Sequence, residues 1–444
     1  MEVGAILGLG QAHVSVGEPR RAIEYLEQGI DFARDIGDHK DEALALCALG
    51  TAYMDVGDPK RSIDLSEEAM TLFGEMRHPR GQAEALGVKG AACVLTGQFP
   101  RAIECYEQCR TIYREISYRS GEEAALVNLG ETHSAVGKPR QAIAYLQEAL
   151  TIAREIGDRK IEVRVLGQLG YAYSALGQLH RAGQLSEEAL AIAQETRDRA
   201  MEGRLFGNLG AIHLQLDDPR RAVWFCEQDV AIAREIGDRR GEEAALGNLG
   251  NAHADLGESG RAIECYKKAL TISREIGDRR MEGTLLGGLG SLYRQLGEPR
   301  LAIELCEKHL IIVREIGDRK GEGATLGNLG TAYAAAGEPK RAIKFYEQSL
   351  TIARDIGDLR AEANALWNTS LALVELGDRM RAISDAEAAL KIYEEIQDTR
   401  AAQVRGQLAL LHRRIGGILL AFSWLRGVLR TALIRWPVKR QAKL

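Results

Sequence analysis

One position of this sequence carries a carboxamide side chain again and again, at intervals of 40 residues. The residue pairs at this position are Val127-Asn128, Gly167-Gln168, Gly207-Asn208, Gly247-Asn248, Gly287-Gly288, Gly327-Asn328 and Trp367-Asn368. A carboxamide both donates and accepts hydrogen bonds, so a row of them can pair with the backbone of an extended peptide. The neighbouring glycine would let that backbone approach closely. The pattern predicts a peptide-binding groove.

The same residues also have a purely structural interpretation. Each carboxamide can be a solvated helix residue, and each glycine a small contact between helices. Because a glycine inside a helix costs about 1 kcal/mol relative to alanine, five glycines at one position need a reason, and close packing supplies one as well. We favour the groove. Its predicted residues are Asn128, Gln168, Asn208, Asn248, Asn328 and Asn368, with Gly207, Gly247 and Gly327.

Two arginines, Arg164 and Arg204, lie one helical turn before the carboxamide on the same face. A guanidinium there could bind an acidic group of the ligand. Each arginine could equally be an ordinary solvated surface residue. Other copies place Glu131 or Asn251 one turn later. The predicted wall is therefore mixed in charge, and it does not select an acidic partner along its whole length.

The histidines and cysteines predict packing rather than metal binding. His133 and His253 occupy the position that holds Tyr173 and Tyr333 in other copies, and a histidine that exchanges with tyrosine in a core predicts one hydrogen bond, not coordination. Two of the seven cysteines lie one turn apart, which could suit a soft metal, but no third ligand accompanies them. We predict no metal and no cofactor.

Catalytic motifs are absent from the sequence. There is no GxxxxGK[ST] segment and no glycine-rich loop after a strand. The recurring REIGD runs, such as residues 234–238, place acids and bases three to four residues apart at helix ends. They predict surface ion pairs that contribute a few tenths of a kcal/mol each, not catalytic carboxylates. We therefore predict that the chain is not an enzyme.

These residues are positioned by a repeat of 40 residues that continues without insertion for nearly 400 residues. The glycine of its Leu-Gly pair recurs from Gly10 to Gly330. A fixed period of this length indicates an array of identical supersecondary units. In residues 241–256 apolar side chains recur at helical spacing, and Gly257 ends that helix. Residues such as Pro299 then begin a second helix.

Each unit is thus predicted to be a helix–turn–helix, and the chain to be all-α. The copies begin near residues 1, 40, 80, 120, 160, 200, 240, 280, 320 and 360. We assign residues 1–398 to the array of ten units. Residues 399–444 form a degenerate eleventh unit, in which the second helix becomes apolar and basic.

The motif Leu249-Gly250, His253, Gly257, Ala262, Tyr266 and Ala269 resembles the tetratricopeptide repeat (TPR) in a longer, forty-residue form. The sequence of the repeat is similar to that of Pins/LGN-type adaptors, kinesin light chains and bacterial arrays attached to signalling enzymes. The resemblance implies a right-handed α-solenoid whose concave groove is lined by the asparagine at the position of Asn248 in each repeat. It implies an adaptor or scaffold for a protein or peptide partner, or the sensor arm of a larger signalling system.

The C-terminal segment is a second, different surface. From Thr399 onward there are ten Lys/Arg and no Asp/Glu, so the first 398 residues carry 48 basic and 63 acidic residues, a net charge of −15. Residues 415–425 are uncharged but too few to span a bilayer. Residues 415–436 suit a helix in an anionic membrane interface, a cap on the last repeat, or a self-association surface. The predicted contacts are Phe422, Trp424, Leu425, Arg426, Arg430 and Trp436.

Composition limits the remaining possibilities. An odd number of scattered cysteines and the expected lack of a signal peptide predict a cytoplasmic protein, which the C-terminal segment would place at the membrane periphery if it binds lipid. Aromatic residues make up 5% of the chain, too few for a surface that stacks bases. With the acidic array, this disfavours a specific nucleic-acid partner.

Overall fold

The computed structural model describes residues 2–412 and is entirely helical over that range, apart from turns. The helices are α1 (Glu2–Ser15), α2 (Pro19–Ile36), α3 (His39–Asp55), α4 (Pro59–Glu75), α5 (Pro79–Leu95), α6 (Phe99–Glu115), α7 (Arg119–Ala135), α8 (Pro139–Ile156), α9 (Arg159–Ala175), α10 (Leu179–Glu195), α11 (Arg199–Gln215), α12 (Pro219–Ile236), α13 (Arg239–Asp255), α14 (Ser259–Ile276), α15 (Arg279–Gln295), α16 (Pro299–Glu315), α17 (Arg319–Ala335), α18 (Pro339–Ile356), α19 (Leu359–Leu376) and α20 (Arg379–Glu395). Residues 400–412 are helical as well. The predicted all-α repeat solenoid is confirmed.

A new helix begins about every 20 residues because the same local signals recur. Asp158 caps α9 by accepting a hydrogen bond from the backbone N–H of Ile161 at 3.0 Å, which satisfies a donor that the helix leaves open. Pro139 begins α8, and Gly157 ends it with φ of 74°. Five turns use a residue other than glycine in this left-handed conformation, at Arg77, Ser117, Arg197, Asp217 and Gln397. The spacing of the helices is the same at these turns as at the turns that use glycine.

The two helices of a repeat pack through a glycine of the first helix that faces a leucine, tyrosine, serine or cysteine of the second. A Cβ atom added to Gly130 of α7 would lie 2.6 Å from Cγ of Leu146 in α8. Leu146 is fully buried there. The invariant spacing of the Leu-Gly pair therefore has a packing cause, because any side chain at this glycine would push the helices apart.

The chain divides into two compact units, residues 1–241 and residues 242 onward, here called the N-terminal half and the C-terminal half. In the N-terminal half α3 contacts α1 and α5, and α9 contacts α7 and α11. In the C-terminal half α17 contacts α15 and α19. Among the described residues, no two second helices contact each other to that extent. In each half the stack is tighter on the side of the first helices, which is the geometry of a concave wall.

Ion pairs connect consecutive helices, and their arrangement corrects the sequence interpretation. Glu162 at the start of α9 is buried, and it accepts hydrogen bonds from Arg154 of α8 at 2.8 Å and from Arg159 at 2.7 Å. The same arginines reach Glu188 and Glu195 of α10. The prediction of local surface pairs was wrong here, since Arg154 joins α8 to α9 and α10, and Arg159 joins α9 to α10, around the buried carboxylate of Glu162.

The charge of that carboxylate is stabilised by its two partners. Burial alone would raise the pKa of Glu162, but the hydrogen bonds from Arg154 and Arg159 outweigh burial and hold the pKa below its ordinary value. Glu122 and Glu282 occupy the same place in other repeats and show the same balance. The network is thus a repeated structural device that fixes one helix pair against the next.

Candidate functional site: the wall of first helices

The six predicted carboxamides all lie on first helices, in the same place of each repeat. Asn128, Gln168 and Asn208 lie on α7, α9 and α11 of the N-terminal half, and Asn248, Asn328 and Asn368 lie on α13, α17 and α19 of the C-terminal half. Asn328 is exposed and the other five are half-buried. No side chain among residues 2–412 forms a hydrogen bond with any of the six carboxamides. Their donors and acceptors remain available to a ligand.

The glycines before these carboxamides face the second helix of their own repeat or the next first helix. A Cβ added to Gly207 would lie 2.6 Å from a carboxylate oxygen of Asp229 in α12. For Gly247, such a Cβ would have Leu285 of α15 as its nearest neighbour, at 3.3 Å. Gly247 is buried and Gly207 and Gly327 are half-buried. These glycines therefore have packing neighbours, which is the structural alternative that the sequence left open.

In two repeats, glycine at this position faces a larger polar side chain of the second helix. Asp229 lies beneath Gly207, and His309 lies beneath Gly287, where a Cβ would come within 2.9 Å of its Nδ1. Where the first helix instead has Leu7, the facing residue is Gly29. This size complementarity was not predicted from the sequence, although the spacing of 22 residues between the two positions could have revealed it.

A pocket of about 450 Å³ lies in the C-terminal half between α17 and α19. Gly323, Gly327 and Asn328 of α17 form one side, and Asn368 of α19 contributes to the other. Ser349 and Ile352 of α18 form its floor. Two of the predicted carboxamides therefore border one cavity, at a size typical of ligand pockets.

A polar cluster that the sequence analysis did not predict borders this pocket. Oδ1 of Asn364 accepts hydrogen bonds from the hydroxyl of Tyr393, at 2.7 Å, and from the guanidinium of Arg400. Arg400 is itself held by Asp398 at 2.7 Å and lies over the ring of Tyr393, 4.9 Å from its centroid. Since its oxygen is occupied, Asn364 can offer a ligand only the N–H groups of its amide.

The two predicted arginines of the wall differ in their surroundings. Arg204 is exposed, whereas Arg164 is half-buried and its Nε has no hydrogen-bond partner among the described residues. Glu123 of α7 is only 1% exposed. Burial, with a contribution from Asp158, raises the pKa of Glu123 to about 7, although the charge of Arg164 opposes the shift. At neutral pH this part of the wall contains a carboxyl group that is partly protonated.

The histidines of the repeat core lie in aromatic stacks. The ring of His133 is stacked on Tyr145 with 5.2 Å between centroids, and that of His213 on Phe225 at 5.1 Å. Tyr333 stacks on Phe345 in the same way. The packing role predicted from the exchange of histidine with tyrosine is confirmed, but the predicted hydrogen bond is absent at Nδ1 of His133 and of His213 among the described residues. Among the described residues, no group of three or more His, Cys, Asp and Glu side chains could hold a metal ion.

The predicted contacts of the C-terminal segment, Phe422, Trp424, Leu425, Arg426, Arg430 and Trp436, lie outside the described residues. Within residues 2–412, no helix is long and apolar enough to cross a membrane.

Comparison with protein-family models gives matches to repeat families. A tetratricopeptide repeat model matches residues 81–155, 203–275 and 280–355, about half of the chain. A second tetratricopeptide repeat model matches residues 163–197. The model of anaphase-promoting complex subunit 5 matches residues 4–72. No curated protein sequence matches the chain significantly.

Several solved structures share the fold at low sequence identity. The apo form of the quorum sensor NprR from B. thuringiensis is 13% identical with a TM-score of 0.59, over 79% of this chain and 98% of that one. A Rap protein complexed with competence and sporulation factor is 15% identical with a TM-score of 0.55, over 80% and 99%.

A third similar structure belongs to a larger protein. It is a signal transduction ATPase with a tetratricopeptide repeat sensor, from Pyrococcus horikoshii. It is 16% identical with a TM-score of 0.57, and the match covers 83% of this chain and 62% of that one. At these identities the likeness establishes a common fold and nothing further.

Proposed function

The chain belongs to the tetratricopeptide repeat family, and from this premise we propose that it is a non-catalytic adaptor that holds an extended segment of a partner protein. The segment lies along the wall of first helices, and the carboxamides bind its backbone. The observation that carries this proposal is the row of six carboxamides, one per repeat, that have no side-chain partner within residues 2–412.

The chemistry of the wall supports backbone recognition. A peptide bond presents one donor and one acceptor, and a carboxamide matches both. Because the wall in each half is made of neighbouring first helices, successive carboxamides face successive parts of the same extended segment. In the N-terminal half, Arg164 and Arg204 add cationic groups that suit an acidic side chain of the partner.

The experiment replaces three carboxamides at once, as Asn208→Ala, Asn248→Ala and Asn328→Ala. The triple variant and the wild-type chain, each lacking residues 415–444, are used to capture proteins from a lysate, which are quantified by mass spectrometry. If each hydrogen bond contributes about 1 kcal/mol, we expect capture of specific partners to fall by about two orders of magnitude.

A matched control carries Gln28→Ala, Gln228→Ala and Gln348→Ala. These glutamines lie on second helices and occupy equivalent places in their repeats, with Gln28 and Gln348 exposed and Gln228 half-buried. The control should capture the same proteins as the wild-type chain. Unchanged capture by the asparagine variant, with helicity intact by circular dichroism, would refute the proposal.

The basic C-terminal segment supports a second candidate, a peripheral membrane protein positioned by residues 415–444. This candidate rests on the ten Lys/Arg residues and the absence of acidic residues from Thr399 onward, a composition that favours anionic lipid. Flotation with vesicles containing phosphatidylserine tests it. The full chain should float and the chain ending at residue 414 should not, whereas no flotation of either chain removes this candidate.

A further inference from the structure

The pocket between α17 and α19 has counterparts in two other repeats, where the chain fills them itself. Three first helices carry glycine at both positions of a Gly-x-x-x-Gly segment that faces the second helix. These pairs are Gly203 with Gly207, Gly283 with Gly287, and Gly323 with Gly327. Without side chains on the first helix, each pair leaves a cavity that a side chain of the second helix can fill.

The second helix fills two of these cavities and leaves the third open. The carboxylate of Asp229 lies against Gly203 and Gly207, and the imidazole of His309 lies against Gly283 and Gly287. In the third case the equivalent residue is Ser349. A Cβ added to Gly327 would meet nothing nearer than the Ser349 hydroxyl oxygen, at 3.6 Å.

The ring of His309 shows what fits such a cavity. It lies beside α15, and its Nδ1 is 3.1 Å from the hydroxyl of Thr325 in α17, so one planar ring occupies the space between consecutive first helices. Between α17 and α19 the equivalents are the short Ser349 and Ala365, and the open pocket of about 450 Å³ lies there. The repeat is thus built around a ring-sized space that this copy does not fill.

The lining of the pocket suits an aromatic ring with a polar edge. Ile352 and Ala353 of α18 and Ala365 of α19 supply apolar surface. The hydroxyl of Ser349 is already used, because it donates to the carbonyl of Gly323 at 2.8 Å. The amide N–H groups of Asn364 can donate to an acceptor on the ring, since only its oxygen is bound, by Tyr393 and Arg400.

We infer that this pocket is the anchor site of the wall, and that it takes an aromatic side chain of the partner's extended segment. The inference rests on the proposed adaptor function and names the part of the partner that gives specificity. Asn328 and Asn368 border the pocket from α17 and α19, so the backbone on each side of the inserted ring lies within reach of a carboxamide. A phenol or phenyl group fills the space that the imidazole of His309 fills one repeat earlier.

The test uses p-cresol, the side chain of tyrosine, as a probe of the full chain labelled with ¹³C at isoleucine methyl groups. Ile352 and Ile356 line the pocket, so their methyl signals should shift on titration. Ser349→His, which copies the arrangement of His309, should weaken binding at least tenfold, while Ser349→Ala should leave binding within about twofold of the wild type.

The reciprocal variant guards against a loss of binding that is due only to misfolding. His309→Ser should open a second pocket and produce new p-cresol shifts at Ile312, whose methyl group lies beside Gly283. Isoamyl alcohol, an aliphatic probe of similar size, should bind at least fivefold more weakly than p-cresol to the wild-type chain.

The inference is overturned if p-cresol leaves the methyl signals of Ile352 and Ile356 unchanged up to its solubility limit, or if Ser349→His binds p-cresol as the wild type does. Either result leaves the carboxamide variants free to test the adaptor function separately. If those variants lose partner capture and p-cresol does not bind, the result supports the adaptor function of the groove and rejects only the aromatic anchor.

Discussion

The fourth repeat (α7 and α8) and the seventh (α13 and α14) have nearly the same first helix and differ in what the second helix offers it. Both contain the sequence GEEAAL, then NLG, then a histidine, at positions 120 residues apart. Glu123 and Glu243 lie in the same place of their repeats, and each is only 1% exposed.

The residue of the second helix that faces this glutamate differs between the two repeats. In the seventh repeat the hydroxyl of Ser273 donates a hydrogen bond to the carboxylate of Glu243. The equivalent residue in the fourth repeat is Ala153, and Oε1 of Glu123 has no hydrogen-bond partner among the described residues. A buried acid without a partner favours its neutral form, and burial accordingly raises the pKa of Glu123 to about 7.

The core histidines repeat this contrast. Nδ1 of His253 is 2.8 Å from the carboxylate of Glu258, whereas the residue at that place in the fourth repeat is Lys138, and Nδ1 of His133 has no partner in the described chain. Burial, followed by the charge of Lys138, lowers the pKa of His133. Two nearly identical first helices thus differ in the partners of their buried polar groups, because those partners lie in the following turn or on the second helix.

Ser273→Ala should have the largest effect, because it would remove a hydrogen bond that the buried carboxylate of Glu243 accepts. Leaving a buried carboxylate without its hydrogen bond costs about 1–3 kcal/mol. Amide hydrogen exchange in α13 and α14 measures this locally. Thr271→Ala, at an exposed residue of α14, is the control, and equal exchange in the two variants would refute the role of Ser273.

Glu123→Gln should stabilise the fourth repeat, by an amount that depends on pH. Since the pKa of Glu123 in the fold is raised to about 7 from an ordinary 4.5, its contribution to stability is fully present below pH 4.5 and is lost as the pH rises through 7. Glutamine stays neutral, so we expect a gain on the order of 1 kcal/mol at pH 8 that disappears near pH 4.5.

Thermal unfolding of the Glu123 variant at pH 8, 6 and 4.5 measures this gain. Ala153→Ser supplies a hydroxyl equivalent to that of Ser273 beside Glu243. It should give part of the same gain in stability at pH 8. Parallel pH profiles for the wild type and Glu123→Gln would show that Glu123 is already ionised and solvated.

Lys138→Glu should have the smallest effect and would give His133 the partner that His253 has. Because the pKa of His133 is lowered, the wild-type fold loses stability as the pH falls and the ring must be charged. A carboxylate at residue 138 should raise that pKa and stabilise the fold by about 0.5 kcal/mol at pH 5.5, with a smaller gain at pH 8. Titration of the His133 ring signals by NMR checks the direction, and an unchanged or lower pKa contradicts it.

Much of the fold could be predicted because its signals are local. Pro139, Gly157 and Asp158 mark helix ends through their own backbone conformation or hydrogen bonds, so their spacing predicts the helices without knowledge of the packing. The carboxamide row could be predicted for the same reason, since its period places every member on one helix face. Its use as a ligand groove stays a prediction, as do the domain limits and the contacts of the C-terminal segment.

The features that escaped prediction depend on residues that meet across helices. The buried state of Glu162 depends on Arg154 of the preceding helix, which the sequence analysis assigned to a surface pair. The open pocket depends jointly on Gly323, Gly327 and Ser349, and the equivalents of the two glycines also occur in repeats where Asp229 or His309 fills the space. The repeat pattern predicts the same local structure for every copy, whereas packing between helices makes the copies differ in their cavities and buried groups.

By itself, the sequence determined the period, the helix ends and the face that carries Asn128 and its counterparts, because these follow from backbone preferences that act within a few residues. Only the tertiary structure decided which buried groups find partners and which cavities stay open. Asp229 fills the space beneath Gly207 and Ser349 does not fill the space beneath Gly327, and that difference exists only once two helices lie side by side.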